Sequence, residues 1–162
     1  MLINKGVCMT LFTNGYVILQ VPEGFEAINA KEKFVELSLV NTSIPMTVKF
    51  SITPTISGLP DIKNSIEESI RNNQNIELNN SDFLVINDDI YYMIITSIKT
   101  KESQIRRNEL LFVKDNNLYS FEFVYPYADA ELDDFYLNII RSLKIENAKY
   151  SIVDGGYIVN EN

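Results

Sequence analysis

The chain has 162 residues, a formal net charge of −8 and no histidine. This is the length of one ordinary domain, which can bury a core without a disulfide or a metal ion. An acidic surface repels phosphate groups, so we expect no binding to nucleic acid. Without histidine, Ser-His-Asp and Cys-His catalysis are excluded within the chain. The single cysteine, Cys8, excludes an intramolecular disulfide, and a structural zinc site is excluded with it.

No run of 18 or more apolar residues is present, so we expect no membrane insertion. The first ten residues include Lys5 but lack the hydrophobic stretch of a signal peptide. We therefore expect a cytoplasmic protein, or an extracytoplasmic one if a signal peptide has been removed. Lys5 is the one basic residue near Cys8 in the sequence, so activation of the thiol is not supported. Cys8 is predicted to be a small core residue.

The first third of the chain is predicted to be β-structure. A hairpin turns at Asn14-Gly15, because both residue types tolerate a positive φ. Residues 22–25 end this hairpin. Residues 46–53 alternate between apolar and polar, which is typical of a strand with one wet face. The predicted strands of this part cover 7–13, 16–21, 34–40 and 46–53.

A helix is predicted over 59–71. Pro60 suits the first helical turn, where its missing N–H group costs nothing. Ile62, Ile66 and Ile70 recur every four residues and form one apolar stripe.

Four further strands are predicted at 76–86, 90–99, 105–114 and 118–125, the first with an interruption near Asn79-Asn80. Turn sequences at 87–89 and 115–117 separate them. Residues 90–98 are apolar on both faces, which predicts a central strand covered on both sides.

A last helix is predicted over Asp129 to Leu143, with a wide apolar face. Phe135, Ile139 and Ile140 are expected to pack on the sheet. Residues 147–162 form a C-terminal tail or a small hairpin, and residues 1–146 form the domain. Successive hairpins and two amphipathic helices predict an α+β fold, a mainly antiparallel β-sheet sandwiched by helices.

Two groups of acidic residues are candidate sites. Asp129, Glu131, Asp133 and Asp134 crowd the start of the last helix, either as calcium ligands or as residues that cap the helix. The calcium-loop pattern needs a glycine that is absent, so capping is favoured. The pair at 88–89 is either catalytic or a hairpin turn, and the turn is favoured because adjacent strand residues face opposite sides. We predict no catalytic residue, no metal site and no cofactor.

Two further features are candidate binding surfaces. Arg106 and Arg107 form an adjacent basic pair, either solvated or facing an anionic partner. An aromatic stripe of period two runs from Tyr119 to Tyr127. It is either a contact surface or the inward face of a strand packed by the last helix. The candidate binding residues are Tyr91, Tyr92, Tyr119, Tyr125 and Tyr127, because tyrosine combines contact area with a polar tip.

An aromatic strand, a short polar turn and a helix ending in a Ser-Leu step follow one another at 118–123, 127–129 and 139–144. Near the N-terminus, the strand 16–21 is followed by Pro22-Glu23-Gly24-Phe25. In order and spacing these segments resemble the PsbP/DcrB-like family, whose fold is shared with the Ran-binding Mog-type proteins. The resemblance covers residue 8 to about residue 146.

This resemblance implies a PsbP/Mog-like α/β/α sandwich, usually without enzymatic activity and with no catalytic residues to transfer. Family members are photosystem accessory subunits, envelope proteins, small-GTPase binders and chaperones of type VI secretion effectors.

Two function hypotheses follow. The first is a non-catalytic protein-binding module, such as an accessory subunit or an effector chaperone, that uses the sheet face or edge left uncovered by the last helix. A homodimer is a further candidate assembly. The alternative is a small-ligand-binding protein or a carboxylate-dependent enzyme with a pocket between sheet and helices.

Overall fold

The structure, a computed structural model, describes residues 2–4, 7–29 and 31–162, with side chains from residue 9 onward apart from residue 30. The side chain of Cys8, predicted to lie in the core, is outside the described residues. The strands are β1 (Leu2–Asn4), β2 (Val7–Thr13), β3 (Val17–Pro22), β4 (Phe25–Ile28), β5 (Val35–Asn41), β6 (Met46–Pro54), β7 (Ile76–Ile86), β8 (Asp89–Lys99), β9 (Gln104–Lys114), β10 (Asn117–Pro126), β11 (Lys144–Ile145), β12 (Tyr150–Val153) and β13 (Gly156–Val159). The helices are α1 (Leu59–Arg71), a 3-10 helix (Ala130–Asp134) and α2 (Leu137–Ile140).

The largest sheet of the described residues has seven strands in the order β4-β5-β6-β10-β9-β8-β7. Every neighbouring pair in it is antiparallel, which confirms the predicted sheet type. The predicted 7–21 hairpin forms as β2 and β3, but it belongs to a second sheet with the order β1-β2-β3-β11.

The two faces of the seven-stranded sheet are covered by different elements. On the inner face, β10 and β6 pack against β3 and α2, and Phe50 stacks on Phe121 with ring centroids 4.6 Å apart. On the outer face, α1 covers a smaller apolar cluster around Tyr92, Ile94 and Leu111. The predicted α+β sandwich is therefore confirmed, and Ile139 and Ile140 are fully buried in the main core as expected. No helix in the described part of the chain is long and apolar enough to cross a membrane.

The predicted helix at 59–71 is confirmed with the same bounds. Its stripe of Ile62, Ile66 and Ile70 faces the outer cluster. β8 is also confirmed as a strand covered on both sides, although it lies next to the edge of the sheet.

The turns that set the strand register are two-residue hairpin loops. Asn87 and Asp88 have φ values of 51° and 69°, and Asp115 and Asn116 have φ values of 49° and 60°. A positive φ at both central residues matches the twist of the flanking strands. The predicted turns at these positions are therefore confirmed.

The predicted helix over 129–143 is wrong in type and length. The structure has a 3-10 helix at Ala130–Asp134 and a four-residue α-helix at Leu137–Ile140. Most of its backbone bonds, such as the one from the N–H of Phe135 to the carbonyl oxygen of Leu132, span three residues. Aspartate, asparagine, aromatic and β-branched residues dominate this segment, and all of them are weak helix formers.

Residues 150–159 form the predicted hairpin, β12–β13, and it packs on the body of the protein. Tyr150 is only 5% exposed and joins the main core. The buried side chain of Asn117 accepts a hydrogen bond from the N–H of Tyr150 at 3.0 Å and donates one to its carbonyl oxygen at 3.0 Å.

Candidate functional site

Four of the five candidate tyrosines lie in the core. Tyr91, Tyr92, Tyr119 and Tyr125 are at most 4% exposed, so their rings offer no contact area to a partner. The prediction that they are surface anchors is wrong for these four. In β10, every second side chain points to the inner face, because successive residues of a strand point to opposite sides of the sheet. The inward-facing aromatic residues are Tyr119, Phe121, Phe123 and Tyr125. Tyr127 lies beyond the end of β10, is 36% exposed and stays a candidate.

Tyr92 instead links α1 to the edge strand β7. Its hydroxyl group lies 2.7 Å from the Oγ atom of Ser81, which donates a hydrogen bond of 2.6 Å to Glu67 on α1. Glu67 also pairs with Lys63 at 2.7 Å. This ammonium group, followed by the Ser81 hydroxyl, lowers the pKa of Glu67. Burial raises the pKa of Tyr92 to about 12, so the phenol stays neutral as a donor.

The predicted basic pair does not form a common surface, because Arg106 and Arg107 point to opposite faces of the sheet. The guanidinium group of Arg106 donates two hydrogen bonds to Asp133, at 2.7 and 2.8 Å. The Tyr125 hydroxyl group donates to the same carboxylate, and burial raises the pKa of this phenol. Arg107 lies on the outer face, 2.9 Å from Glu109.

These contacts also correct the explanation of the acidic cluster. Asp129 occupies the N-terminal position of the 3-10 helix, but its side chain makes no capping hydrogen bond. Asp133 holds the helix against β9 through Arg106, and its carbonyl oxygen accepts a hydrogen bond of 2.9 Å from Asn108. Among the described residues, no three acidic or cysteine side chains lie close enough together to hold a metal ion.

The surface feature of most interest is a cleft of about 810 Å³ at the N-terminal end of α1, which we name the apolar cleft. Its charged lining residues, in the part of the chain that the structure describes, are Asp88 of the β7–β8 turn and Asp89, the first residue of β8. Its apolar lining residues are Leu59, Pro60, Phe83, Ile90, Phe112 and Val113.

Large apolar side chains are exposed in this cleft, at Phe83 and Ile90, and beside it, at Val85. Phe83 is 42% exposed, Val85 is 68% exposed and Ile90 is 59% exposed. The strand register pairs Phe83 with Tyr92 and Val85 with Ile90, so all of them lie on the outer face. Together they form a contiguous apolar patch at the edge of the sheet.

The cleft adjoins an open sheet edge, because among the described residues β7 pairs with β8 alone. Ile86 and Asp89 flank a two-residue turn and therefore form a hydrogen-bonded pair. Hydrogen-bonded and non-bonded pairs alternate along an antiparallel ladder. The residues whose backbone N–H and C=O groups point away from β8 are consequently Ser81, Phe83 and Val85. We name the segment Ser81–Ile86 the open edge.

Comparisons with known proteins bear on the fold. No family model matches the chain, and no curated protein matches it in sequence. Its structure is similar to cyanobacterial PsbP (CyanoP) from Synechocystis sp. PCC 6803, with a TM-score of 0.64 and 9% identity over 85% of this chain and 92% of that one. The Ran-binding protein Mog1p from Saccharomyces cerevisiae gives a TM-score of 0.64 and 10% identity over 88% and 96% of the two chains.

The chain has the PsbP/Mog-type fold. The predicted resemblance is thus confirmed at the level of fold. LpqN from Mycobacterium tuberculosis, described as involved in cell envelope biogenesis, is also similar, with a TM-score of 0.55 and 8% identity over 86% of this chain and 91% of that one.

The sequence prediction missed the apolar cleft. The sequence pattern predicts Phe83, Val85 and Ile90 only as strand residues, because the alternation of apolar and polar residues does not show which face of a sheet remains uncovered. One signal was available, since the outer-face positions of 81–86 include two large apolar residues on a strand that begins with a polar, interrupted stretch.

Proposed function

We propose that this chain is a non-catalytic protein-binding module whose contact surface is the apolar cleft together with the open edge of β7. The observation that carries this proposal is the exposure of Phe83, Val85 and Ile90 side by side on one face. Contiguous apolar patches on a protein surface typically mark interaction sites. Aromatic residues are enriched at the centres of such interfaces, which suits Phe83.

The shared fold supports the same proposal by analogy. Mog1p is described as a Ran-binding protein, and it has a fold similar to that of this chain along nearly its whole length. We propose a comparable role as an accessory subunit or a chaperone, with a protein partner and without a nucleic-acid partner.

The chemistry of the cleft favours binding over catalysis. Asp88, in the turn, and Asp89, the first residue of β8, are adjacent and exposed. Within the described lining, no serine, threonine, cysteine, lysine or tyrosine accompanies them as a nucleophile or a base. A mechanism that uses two carboxylates needs them on either side of the reacting bond, whereas Asp88 and Asp89 are neighbours in sequence.

A small-ligand-binding role is the second candidate. The volume of the cleft, about 810 Å³, lies within the range of about 300–1,000 Å³ that is typical of ligand sites. The alternative hypothesis from the sequence also places a pocket between the sheet and the helices, without naming the residues of this cleft. Thermal melting in the presence of a metabolite library separates the two roles, because a ligand that binds only the folded state raises the melting temperature.

The direct experiment compares purified tagged variants as baits in an extract of the native host. Phe83→Ser combined with Ile90→Ser removes the centre of the patch, and Val85→Ser removes its most exposed member. Ile28→Ser combined with Val159→Ser is the matched control, because Ile28 and Val159 are 51% and 57% exposed elsewhere on the molecule.

We expect both cleft variants to recover about tenfold less of a specific partner, which is the loss typical of a central interface residue. The control should recover as much as the unmodified protein. Tyr127→Ser, assayed alongside, tests whether that residue also contributes. Equal recovery by all variants would contradict the assigned surface. Turnover of a small substrate, abolished by a single change in the cleft, would overturn the binding role itself.

A further inference from the structure

We propose that the open edge of β7 accepts an extended, positively charged segment of a partner protein as an additional β-strand. Apolar side chains of that segment would occupy the apolar cleft, and a lysine or arginine would reach Asp88 and Asp89. This inference rests on the proposed function and adds the chemistry of the partner.

The two edges of the seven-stranded sheet differ in how well they are protected. β4, at one edge, has only four residues. β7, at the other, has eleven. Its first part is interrupted by a register shift between Leu78 and Asn80, and such a bulge disfavours further pairing. The open edge itself contains neither proline nor lysine, the residues that commonly block an exposed edge.

The open edge places its free backbone groups beside the cleft. The N–H and C=O groups of Phe83 and Val85 point away from β8 in the plane of the sheet, perpendicular to the strand axis, whereas their side chains lie on the outer face with Ile90. An added strand would run about 4.8 Å from β7. Every second side chain of that strand would therefore lie on the outer face, next to Phe83 and Val85. Backbone hydrogen bonds then supply affinity, and the cleft supplies selectivity.

The negative charge around the apolar cleft and the open edge favours a partner segment that is positively charged. Between Arg71 and Lys99 the sequence contains four acidic residues and no lysine or arginine. Two of the four, Asp88 and Asp89, line the cleft. Two positive groups border this surface: the N-terminal end of α1, with roughly half a charge, and Lys63, whose Nζ atom lies 5.9 Å from the Phe83 ring centroid. Glu67 pairs with Lys63 at 2.7 Å, and the carboxylates of Asp88 and Asp89 outweigh the helix terminus.

The same charges disfavour a second copy of this chain as the occupant. Pairing of two β7 edges would bring Glu77 and Asp82 of each copy close to those of the other, without a basic residue in either strand. Like charges across neighbouring strands are destabilising.

A display library of short random peptides, selected against the intact protein, tests the proposal. We expect enriched peptides to alternate apolar and polar residues and to contain lysine or arginine. Binding of a selected peptide should slow amide hydrogen exchange at Phe83 and Val85. Methylation of its backbone nitrogens should weaken binding about tenfold, as the loss of one or two hydrogen bonds does.

Variants of the protein sharpen this test. Val85→Pro removes an outward N–H group but no bond to β8, and it should abolish binding. Val85→Thr keeps the backbone and serves as its matched control. Asp88→Asn combined with Asp89→Asn should weaken binding of the basic peptides, whereas Asp154→Asn, at the exposed turn of the other hairpin, should not.

Each contrary result has a separate meaning. Peptides that need Phe83 and Ile90 but leave the edge amides unprotected, or that are acidic or helical in pattern, overturn strand addition and leave the proposed function intact. Enrichment no greater than on the Phe83→Ser, Ile90→Ser protein overturns both. A dimer of the free protein with protected edge amides overturns the inference in favour of self-pairing.

Discussion

The hydroxyl group of Tyr92 lies 2.7 Å from the Oγ atom of Ser81, so a buried residue of β8 is hydrogen-bonded to a residue of the open edge. Ser81 in turn donates to Glu67 on α1. This chain of contacts ties α1 to β7 and fixes the wall of the apolar cleft, because Phe83 packs on the Tyr92 ring with centroids 5.7 Å apart.

Removal of the Tyr92 hydroxyl group should weaken this connection. We expect Tyr92→Phe to lower the free energy of unfolding by about 1 kcal/mol, the usual loss for one hydrogen bond. Urea denaturation at neutral pH measures it. Tyr127→Phe is the control, since that ring is partly exposed, and it should change stability by less than about 0.5 kcal/mol. Equal effects of the two changes would mean that the Tyr92 contact contributes nothing.

Glu109 should make stability fall as the pH rises. Burial raises its pKa above the ordinary 4.5, with Arg107 opposing and Glu122 adding to the shift. Above pH 4.5 the unfolded chain releases this proton while the folded protein retains it, so folding is disfavoured up to the raised pKa. Glu109→Gln should flatten the pH dependence of the free energy of unfolding between pH 4.5 and the raised pKa, and it should raise the stability at neutral pH. Chemical denaturation at a series of pH values tests this prediction, with Glu26→Gln, at an exposed position, as the control. If Glu109→Gln leaves the slope of the free energy of unfolding against pH unchanged, the prediction is wrong.

Asn117 should be essential for docking of the C-terminal hairpin. Its buried amide satisfies both backbone groups of Tyr150. Asn117→Ala would leave these groups without partners, at a cost of about 1–3 kcal/mol for each buried group. Asn64→Ala, on the exposed side of α1, should be nearly neutral. If thermal melting gives the same midpoint for both variants, the hairpin is not held in this way.

The open edge predicts a specific pattern of amide hydrogen exchange in the free protein. The N–H groups of Phe83 and Val85 should exchange rapidly, because they point away from β8. Those of Asp82, Leu84 and Ile86 should be protected, because they bond to β8. Two-dimensional NMR spectra after transfer to deuterated water resolve these amides. Uniform protection across 82–86 would contradict an unpaired edge.

Strong local signals explain which parts of the fold the sequence predicts. The stripe at Ile62, Ile66 and Ile70 and the turn at 87–89 depend on neighbours in the chain, and both are confirmed. The segment 129–143 has an apolar period but weak helix formers. The pairing of Asp133 with Arg106, 27 residues away, contributes to its actual conformation.

The apolar cleft was less predictable from the sequence, because the exposure of a side chain depends on how the helices and sheets pack in the folded protein. Tyr92 and Phe83 are both aromatic residues of predicted strands. Tyr92 is buried because α1 covers it, whereas Phe83 has only the flexible side chain of Lys63 from α1 near its ring and stays 42% exposed. No local pattern distinguishes these two cases.

Site-specific photocrosslinking in the native host tests the central claim most directly. A photoreactive amino acid at position 85 should form a covalent adduct with one defined partner protein, identifiable by mass spectrometry. The same amino acid at position 159 should form none, although Val85 and Val159 are comparably exposed, at 68% and 57%. Adducts of equal yield at both positions, or at position 159 alone, would contradict the account.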